Sequence, residues 1–416
     1  MKTIGTFLCA ALAAAGLAAC SGKTPSTGPI KATPRPPLKT ATGSVVGGNA
    51  PGSTSAKKET TRAGISGRRM AGGGIVEDYW PTEGWRTSTP EDQEMDGTRL
   101  QAALESAQRQ RLSLHGVVVI RHGYIVLEKY FASNNATSVH SLYSCTKSFV
   151  SALVGIAIDK RLIADVNQPV VSFFPDSDFE DPDKSKQEIT IENLLTMSSG
   201  LNWLEADETY ERMYTTYRDW VEFVLDLPMV FRPGLIFNYS SGCSHLLSAI
   251  IQKTSDKGTY DFARSNLFKP LGIKDPTWER DPSGIPIGGW GLSLSPRDMA
   301  KLGYLYLHGG KWERNQIVPA SWVRSSTQPH IKADGDWQYG YQWWVDPSYS
   351  FYAAIGRYGQ SIFVVPGLDL VVVFTAHIDS NDPETDLLKK YIIPACSSLP
   401  RNPPAGGKIL QEEHGP

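Results

Sequence analysis

Over residues 92–111 the apolar positions recur as they would along one face of a helix. Two apolar runs follow, at 114–120 and 124–131, joined by Arg121-His122-Gly123, and they predict a pair of strands that open an antiparallel sheet. Residues 144–159 return to the helical period, with Phe149, Leu153, Ile156 and Ala157 on one side and Lys160 and Arg161 closing the last turn. This predicts a buried helix that begins at Ser144. From 162 to 286 the pattern is one of helical patches and Pro-rich loops with little alternation, so the stretch reads as an α-rich insertion. A helix is predicted over 296–308, strands over 339–345, 352–355, 361–365 and 370–375, and a last helix over 384–392. A two-stranded ribbon is marginal alone, so the early hairpin and the late strands must pair across the chain. The expected fold class is α/β in the α+β sense: an antiparallel sheet flanked by helices, with an inserted, mostly α-helical subdomain.

The ends of the chain follow other rules. Residues 1–19 carry a short basic start and an apolar run too short to span a bilayer, the pattern of a secretory signal. Leu17-Ala18-Ala19-Cys20 is similar to a bacterial lipobox, which implies cleavage before Cys20 and acylation of that cysteine, a membrane anchor in the cell envelope. Residues 20–75 form a tether: between 21 and 70 there are nine basic residues against one acidic, Glu59, in a Ser-, Gly- and Pro-rich composition that cannot build a core. The folded body is expected over 76–398 and a flexible tail over 399–416. The whole chain has 416 residues, 41% of them hydrophobic and 20% charged, at a formal net charge of −2. With the positive charge concentrated in the tether the body is acidic, and together with the export signal this argues against nucleic acid as a partner. Cys145, Cys243 and Cys396 in the body do not make a disulfide framework, and buried free thiols are the expectation.

Candidate chemistry centres on Ser144-Cys145-Thr146-Lys147. A Ser-x-x-Lys spacing at a helix start places hydroxyl and amine on one face, one turn apart. Serine is a weak nucleophile until a base takes its proton, and lysine can be that base only where burial or positive potential lowers its pKa. The spacing alone is weak, since roughly one serine in twenty has a lysine three residues on, and Ser55 with Lys58 repeats it inside the tether. Context favours Ser144, with apolar strands before it and a long apolar helix after. Gly-x-Ser-x-Gly is absent, Gly291-Leu292-Ser293-Leu294-Ser295 coming nearest, and so are His-Glu-x-x-His and His-x-His. No metal or cofactor is called for.

On these residues the chain resembles the serine β-lactamase and penicillin-binding-protein superfamily, in particular the class C β-lactamase-like esterases, D-peptidases and 6-aminohexanoate-dimer hydrolases. The resemblance covers about residues 114–392. Phe237-Asn238-Tyr239-Ser240-Ser241-Gly242 is similar to the family's Tyr-x-Asn element, with Tyr239 kept for proton transfer and Ser241 standing at the substrate-binding asparagine. Gly289-Trp290-Gly291-Leu292 and the run 295–300 resemble the stretch before the third motif. That motif is represented by Arg357-Tyr358-Gly359, which implies substrate contacts there and a second oxyanion donor in the Gln360 N–H beside that of Ser144. Arg357 keeps the motif's positive charge in a bulkier, forked group. The implied activity is hydrolysis of a small-molecule amide, ester or peptide through an acyl-enzyme on Ser144, with Lys147 and Tyr239 moving protons. A penicillin-recognising binding or sensor lipoprotein is the alternative. The aromatics Trp203, Tyr210, Tyr214 and Tyr217 of the insertion are expected to wall the pocket.

Overall fold

The computed structural model describes residues 68–69, 75–76, 79–175, 184–205, 208–380 and 382–396. The chain divides into two units. In the unit Met1–Glu77 the described residues are Arg68–Arg69 and Ile75–Val76, which pair antiparallel. The leader, Cys20, most of the tether and the tail lie outside the described residues. All that follows concerns the unit Asp78–Pro416.

Its frame is a nine-stranded sheet in the order Ile331–Lys332, Gln338–Tyr339, Trp344–Asp346, Phe351–Gly356, Gln360–Val365, Leu370–Ala376, Leu114–Arg121, Tyr124–Tyr130 and Arg86–Thr87. Every neighbouring pair is antiparallel except the last, where Arg86–Thr87 runs parallel to Tyr124–Tyr130. The early hairpin joins the late strands through Leu114–Arg121 against Leu370–Ala376, whose register sets Val118 opposite Val373 and Val119 opposite Val372. That pairing closes one sheet out of segments some 250 residues apart, and both faces of its central strands are buried.

Each face carries its own apolar layer. The helix Gly97–Arg109 and the C-terminal helical run Asp382–Ala395 cover one side, packing on Val117, Val119, Phe363, Val372 and Phe374. On the other side the helices Thr146–Asp159, Ser241–Thr254 and Pro296–Leu307 pack with Val118, Ile362, Val364 and Val373. The helix Thr146–Asp159 is buried from Thr146 to Ala157 and therefore has no polar face. Between residues 162 and 286 the helices Ile191–Leu195, Glu208–Thr216, Trp220–Asp226, Ser241–Thr254 and Gly258–Ala263 dominate. A small second sheet links His140–Ser141, Leu292–Leu294 and Thr277–Trp278.

The differences from the expected elements are local. The first helix starts at Gly97, where the Asp96 side chain accepts from the N–H groups of Thr98 and Arg99, and residues 91–93 form a separate 3-10 turn. The run 339–345 is two strands: the chain turns between Tyr339 and Trp344, with Gln342 at φ +62°. A period-2 apolar run cannot by itself disclose such a turn. Among the described residues the cysteines are free, Cys145 and Cys243 buried and Cys396 partly so. No helix among them is long and apolar enough to cross a membrane.

Candidate active site

Ser144 lies in a 3-10 turn, Tyr143–Cys145, that runs directly into the helix Thr146–Asp159, so the expected helix start is correct in place but tighter in form. Tyr143 adopts φ +46°, an uncommon conformation for a tyrosine, and is held there by an edge-on contact with Tyr358 at 5.3 Å between ring centroids. The turn is fixed to the small sheet by the Leu142 N–H, which donates to Leu292 O at 2.8 Å. Gly356 of the third-motif hairpin lies against it. A Cβ at that position would stand 2.3 Å from Leu142 O and 3.2 Å from the backbone nitrogens of Ser144 and Cys145, so only glycine lets the hairpin approach.

One helical turn on, Lys147 is 1% exposed. Its Nζ lies 3.0 Å from Ser144 Oγ, 3.0 Å from Ser241 Oγ and 2.8 Å from Gly289 O. Burial lowers its pKa to about 8, against the opposing pull of Glu205 and of the two nearby thiols. Tyr239 precedes Ser240, whose hydroxyl accepts from the Cys243 N–H and caps the helix Ser241–Thr254. The Tyr239 hydroxyl shares a hydrogen bond with Ser144, and its ring lies 4.8 Å from Lys147 Nζ. Burial, with the charge of Glu205 second, pushes the Tyr239 phenol well above its usual range.

Ser241, the position that the resemblance matches to an asparagine, bonds within the protein. Its hydroxyl donates a short hydrogen bond to Glu205 Oε1, and its N–H donates to Glu205 Oε2 at 2.7 Å. Trp203 Nε1 donates to the same Oε2 at 2.6 Å. A carboxylate on the first N–H of a 14-residue helix is well placed against the helix dipole. Glu205 thus joins the site through Ser241, and sequence reasoning missed it. It comes from a loop with no periodicity, and the one available signal was the serine in place of asparagine, which leaves the lysine needing another partner. The backbone carbonyl of Gly289 was also missed. It is held behind Lys147 by the buried pair His245–Asp281, in which Nε2 and Oδ2 are 3.1 Å apart; His245 Nδ1 accepts from the Gly288 N–H at 3.5 Å.

The third-motif residues form a tight hairpin, Gly356 pairing with Gln360 across a turn in which Tyr358 and Gly359 have φ of +62° and +82°. Gln360 is buried; its carbonyl accepts from Cys145 Sγ at 3.3 Å, which ties the hairpin to the residue after Ser144. Cys145 is itself buried, and burial pushes its thiol far up, so it packs rather than competes as a nucleophile. Arg357 is exposed, its guanidinium 4.7 Å from the Tyr358 ring, and Tyr358 stacks on His377 at 4.5 Å.

Of the four aromatics expected to wall the pocket, Tyr210 is half-buried against Trp290, which adjoins Gly289. Trp203 is instead a core residue, 1% exposed, whose indole N–H serves Glu205, and Tyr214 and Tyr217 are exposed. On the far side, Trp344 stacks on Tyr239 at 5.6 Å, with Phe237 beside both. The reacting groups therefore sit between aromatic walls. No group of histidine, cysteine and acidic side chains among the described residues could hold a metal ion.

The beta-lactamase family profile matches residues 99–396. The chain is 26% identical over 285 residues to a 6-aminohexanoate-dimer hydrolase of Paenarthrobacter ureafaciens, covering 62% of this chain and 70% of that protein. Among solved structures, a penicillin-binding protein from Bacillus halodurans superposes with a TM-score of 0.55 at 18% identity, covering 70% of this chain and 99% of that one. EstCE1, a hydrolase with promiscuous acyltransferase activity, gives 0.61 at 16% identity, over 72% and 98%. The profile spans most of the chain and its matched region holds Ser144, Lys147, Tyr239 and the third-motif hairpin, and on these grounds the chain belongs to the beta-lactamase family, as a hydrolase of the β-lactamase/transpeptidase fold.

Proposed function

We propose that the protein hydrolyses an amide or ester bond of a small linear substrate through an acyl-enzyme on Ser144. The observation that carries this reading is the set of partners around Lys147. A neutral amine has two N–H groups and one lone pair. Gly289 O can only accept, and Ser241, whose proton goes to Glu205, also accepts. Both N–H groups are thereby taken, and the lone pair is left for the Ser144 hydroxyl at 3.0 Å. A lysine with a pKa near 8 is unprotonated often enough at neutral pH to serve.

In this mechanism Lys147 takes the Ser144 proton as Oγ attacks the carbonyl carbon, and the Ser144 and Gln360 N–H groups hold the resulting oxyanion. Tyr239, kept protonated by burial, passes its proton to the departing nitrogen or oxygen and regains one from Lys147. Water then attacks the ester carbonyl of the acyl-enzyme, its proton returning through the same groups and Ser144 leaving as the hydroxyl. Tyr239 acts as donor and relay, because a phenol with so high a pKa is a poor base at working pH. Arg357, exposed at the rim, offers a forked cation to an anionic end of the substrate, and the aromatic walls favour a slender apolar body between.

The same proposal includes export and anchoring through an acylated Cys20, which would place the enzyme in the cell envelope. Mass spectrometry of the protein quenched during turnover of a p-nitrophenyl ester tests the central claim. A mass increase equal to the acyl group, mapped to the peptide holding Ser144, is expected; its absence in an enzyme that still hydrolyses the ester overturns the covalent route.

A further inference from the structure

Directly behind the third-motif turn lies a carboxyl group that the mechanism does not use. Glu384, in the C-terminal helical run, is 0% exposed, and neither of its oxygens bonds to another residue. It fills the space beneath Gly359: a Cβ added to that glycine would stand 1.9 Å from Glu384 Oε1 and 3.0 Å from the Ala376 Cβ. The glycine is required twice over, by its φ of +82° and by this carboxyl. The next residue, Gln360, carries the N–H assigned to the oxyanion hole. Ser361, the second residue of the strand Gln360–Val365, also has a buried hydroxyl without a partner.

A carboxylate that no other residue bonds is strongly disfavoured in such a place, whereas an uncharged acid is not. On its own helical run and on the helix Gly97–Arg109 packed against it, the cations pair elsewhere: Arg99 with Asp96, Arg109 with Glu105, Lys389 with Asp346 and Lys390 with Asp386. Arg357 stacks on Tyr358, and neither of these nor His377 or Tyr391 bonds to Glu384. Asp382, two residues earlier, adds a like charge.

We infer that Glu384 is a positioning residue for the oxyanion turn: as an uncharged acid it supports Gly359 and the Gln360 N–H from behind, and as a carboxylate it displaces them and slows acylation. Burial first, against the pull of its own backbone N–H and with the charge of Asp382 last, raises its pKa to about 7, so the switch falls within the working pH range. Since Lys147 must lose its proton while Glu384 must keep one, the parent's rate should pass through a maximum as pH rises.

This inference rests on the acyl-enzyme reading of Ser144, and the test separates the two. The acylation rate with an activated ester is measured from pH 5.5 to 9.5 for the parent, Glu384→Gln, Glu384→Met and Ser144→Ala, with melting temperatures across the same range and down to pH 4. The parent's rate should fall about tenfold per pH unit on its alkaline side. Gln and Met both fill the volume without charge, so each should convert the bell into a rise to a plateau. The sign of the stability effect is fixed as well. A carboxyl that stays protonated in the fold to about pH 7, but ionises near 4.5 when unfolded, costs stability as pH rises between those values and no more above them. That loss should be absent in both variants. A parental alkaline limb retained in Glu384→Gln and Glu384→Met, with turnover that Ser144→Ala removes, overturns the role of Glu384 alone. Turnover that survives Ser144→Ala overturns the acyl-enzyme reading, while the melting curves still report on Glu384.

Discussion

Replacing Glu205 by glutamine removes one charge from behind the lysine without removing a side chain. From Lys147 Nζ the path to the carboxylate runs through one hydroxyl, 3.0 Å to Ser241 Oγ and one short bond more. At roughly 5 Å and an effective dielectric of about 20, the attraction is on the order of 3 kcal/mol, trimmed by solvent at the half-buried carboxylate to about 1–2 kcal/mol. Glu205 favours the ammonium, so its neutralisation should lower the Lys147 pKa from about 8 by about one unit and shift the ascending limb of the rate profile to lower pH by the same amount. At pH 7 the fraction of free amine would then grow about fivefold, partly offset because a weaker base transfers the proton less readily. A second effect opposes the gain. The glutamine amide would donate to Ser241 Oγ and turn that hydroxyl's proton toward Lys147, where it competes with Ser144 for the lone pair, so the plateau should drop about tenfold. The assay is stopped-flow acylation with an amide carrying a chromogenic leaving group, across pH. An ascending limb that stays at the parental position, or moves alkaline, would falsify the Glu205–Ser241–Lys147 relay.

Four further outcomes follow from the geometry. Ser144→Ala should abolish turnover and leave the melting temperature within a few degrees of the parent's; residual hydrolysis near the parental rate refutes the nucleophile. Lys147→Arg should be as damaging to amide hydrolysis as Lys147→Ala, because a guanidinium does not give up its proton. Tyr239→Phe should cost about a hundredfold on an amide and far less on an activated ester, whose leaving group needs no proton; equal losses on both would assign Tyr239 to binding instead. Gly356→Ala, which sets a methyl 2.3 Å from Leu142 O, should lower acylation by at least about tenfold through the displaced Ser144 turn; a parental rate would show that the hairpin tolerates the shift.

Much of the frame was legible because it rests on local rules. The hairpin 114–130 and the helices after Ser144 and Ser295 appear in the sequence as periodic runs with recognisable ends, and the structure moves their limits by one to a few residues. The split of 339–345 into two strands was not legible, since the turn through Gln342 depends on tertiary bonds: its N–H donates to Leu195 O, and its side-chain amide to Leu194 O and Leu195 O. Trp203 was misplaced for a related reason. A tryptophan in an aperiodic loop can line a pocket or fill a core, and only the packing of Gly242 and Val224 around it decides which.

The sequence by itself determined which groups could do chemistry: Ser144 and Lys147 are bound to one face by the pitch of a helix, and Tyr239 is marked by its surrounding motif. Such constraints are short-range, and the chain carries them wherever it folds. What lowers the pKa of Lys147, and so fits it to the proposed role of base, was decided by the tertiary structure. Its burial, the Gly289 carbonyl 142 positions along the chain, Ser241 at 94 and, between Lys147 and Ser241 in sequence, the Glu205 that Ser241 bonds converge only when the chain closes over the helix Thr146–Asp159. The same holds for Glu384, an ordinary acidic residue near the end of the sequence, which becomes a neutral wedge behind the oxyanion turn because the helical run that follows the strand Leu370–Ala376 lies against Gly359. A pKa measures the sum of an environment, and that environment is assembled from residues no local pattern connects.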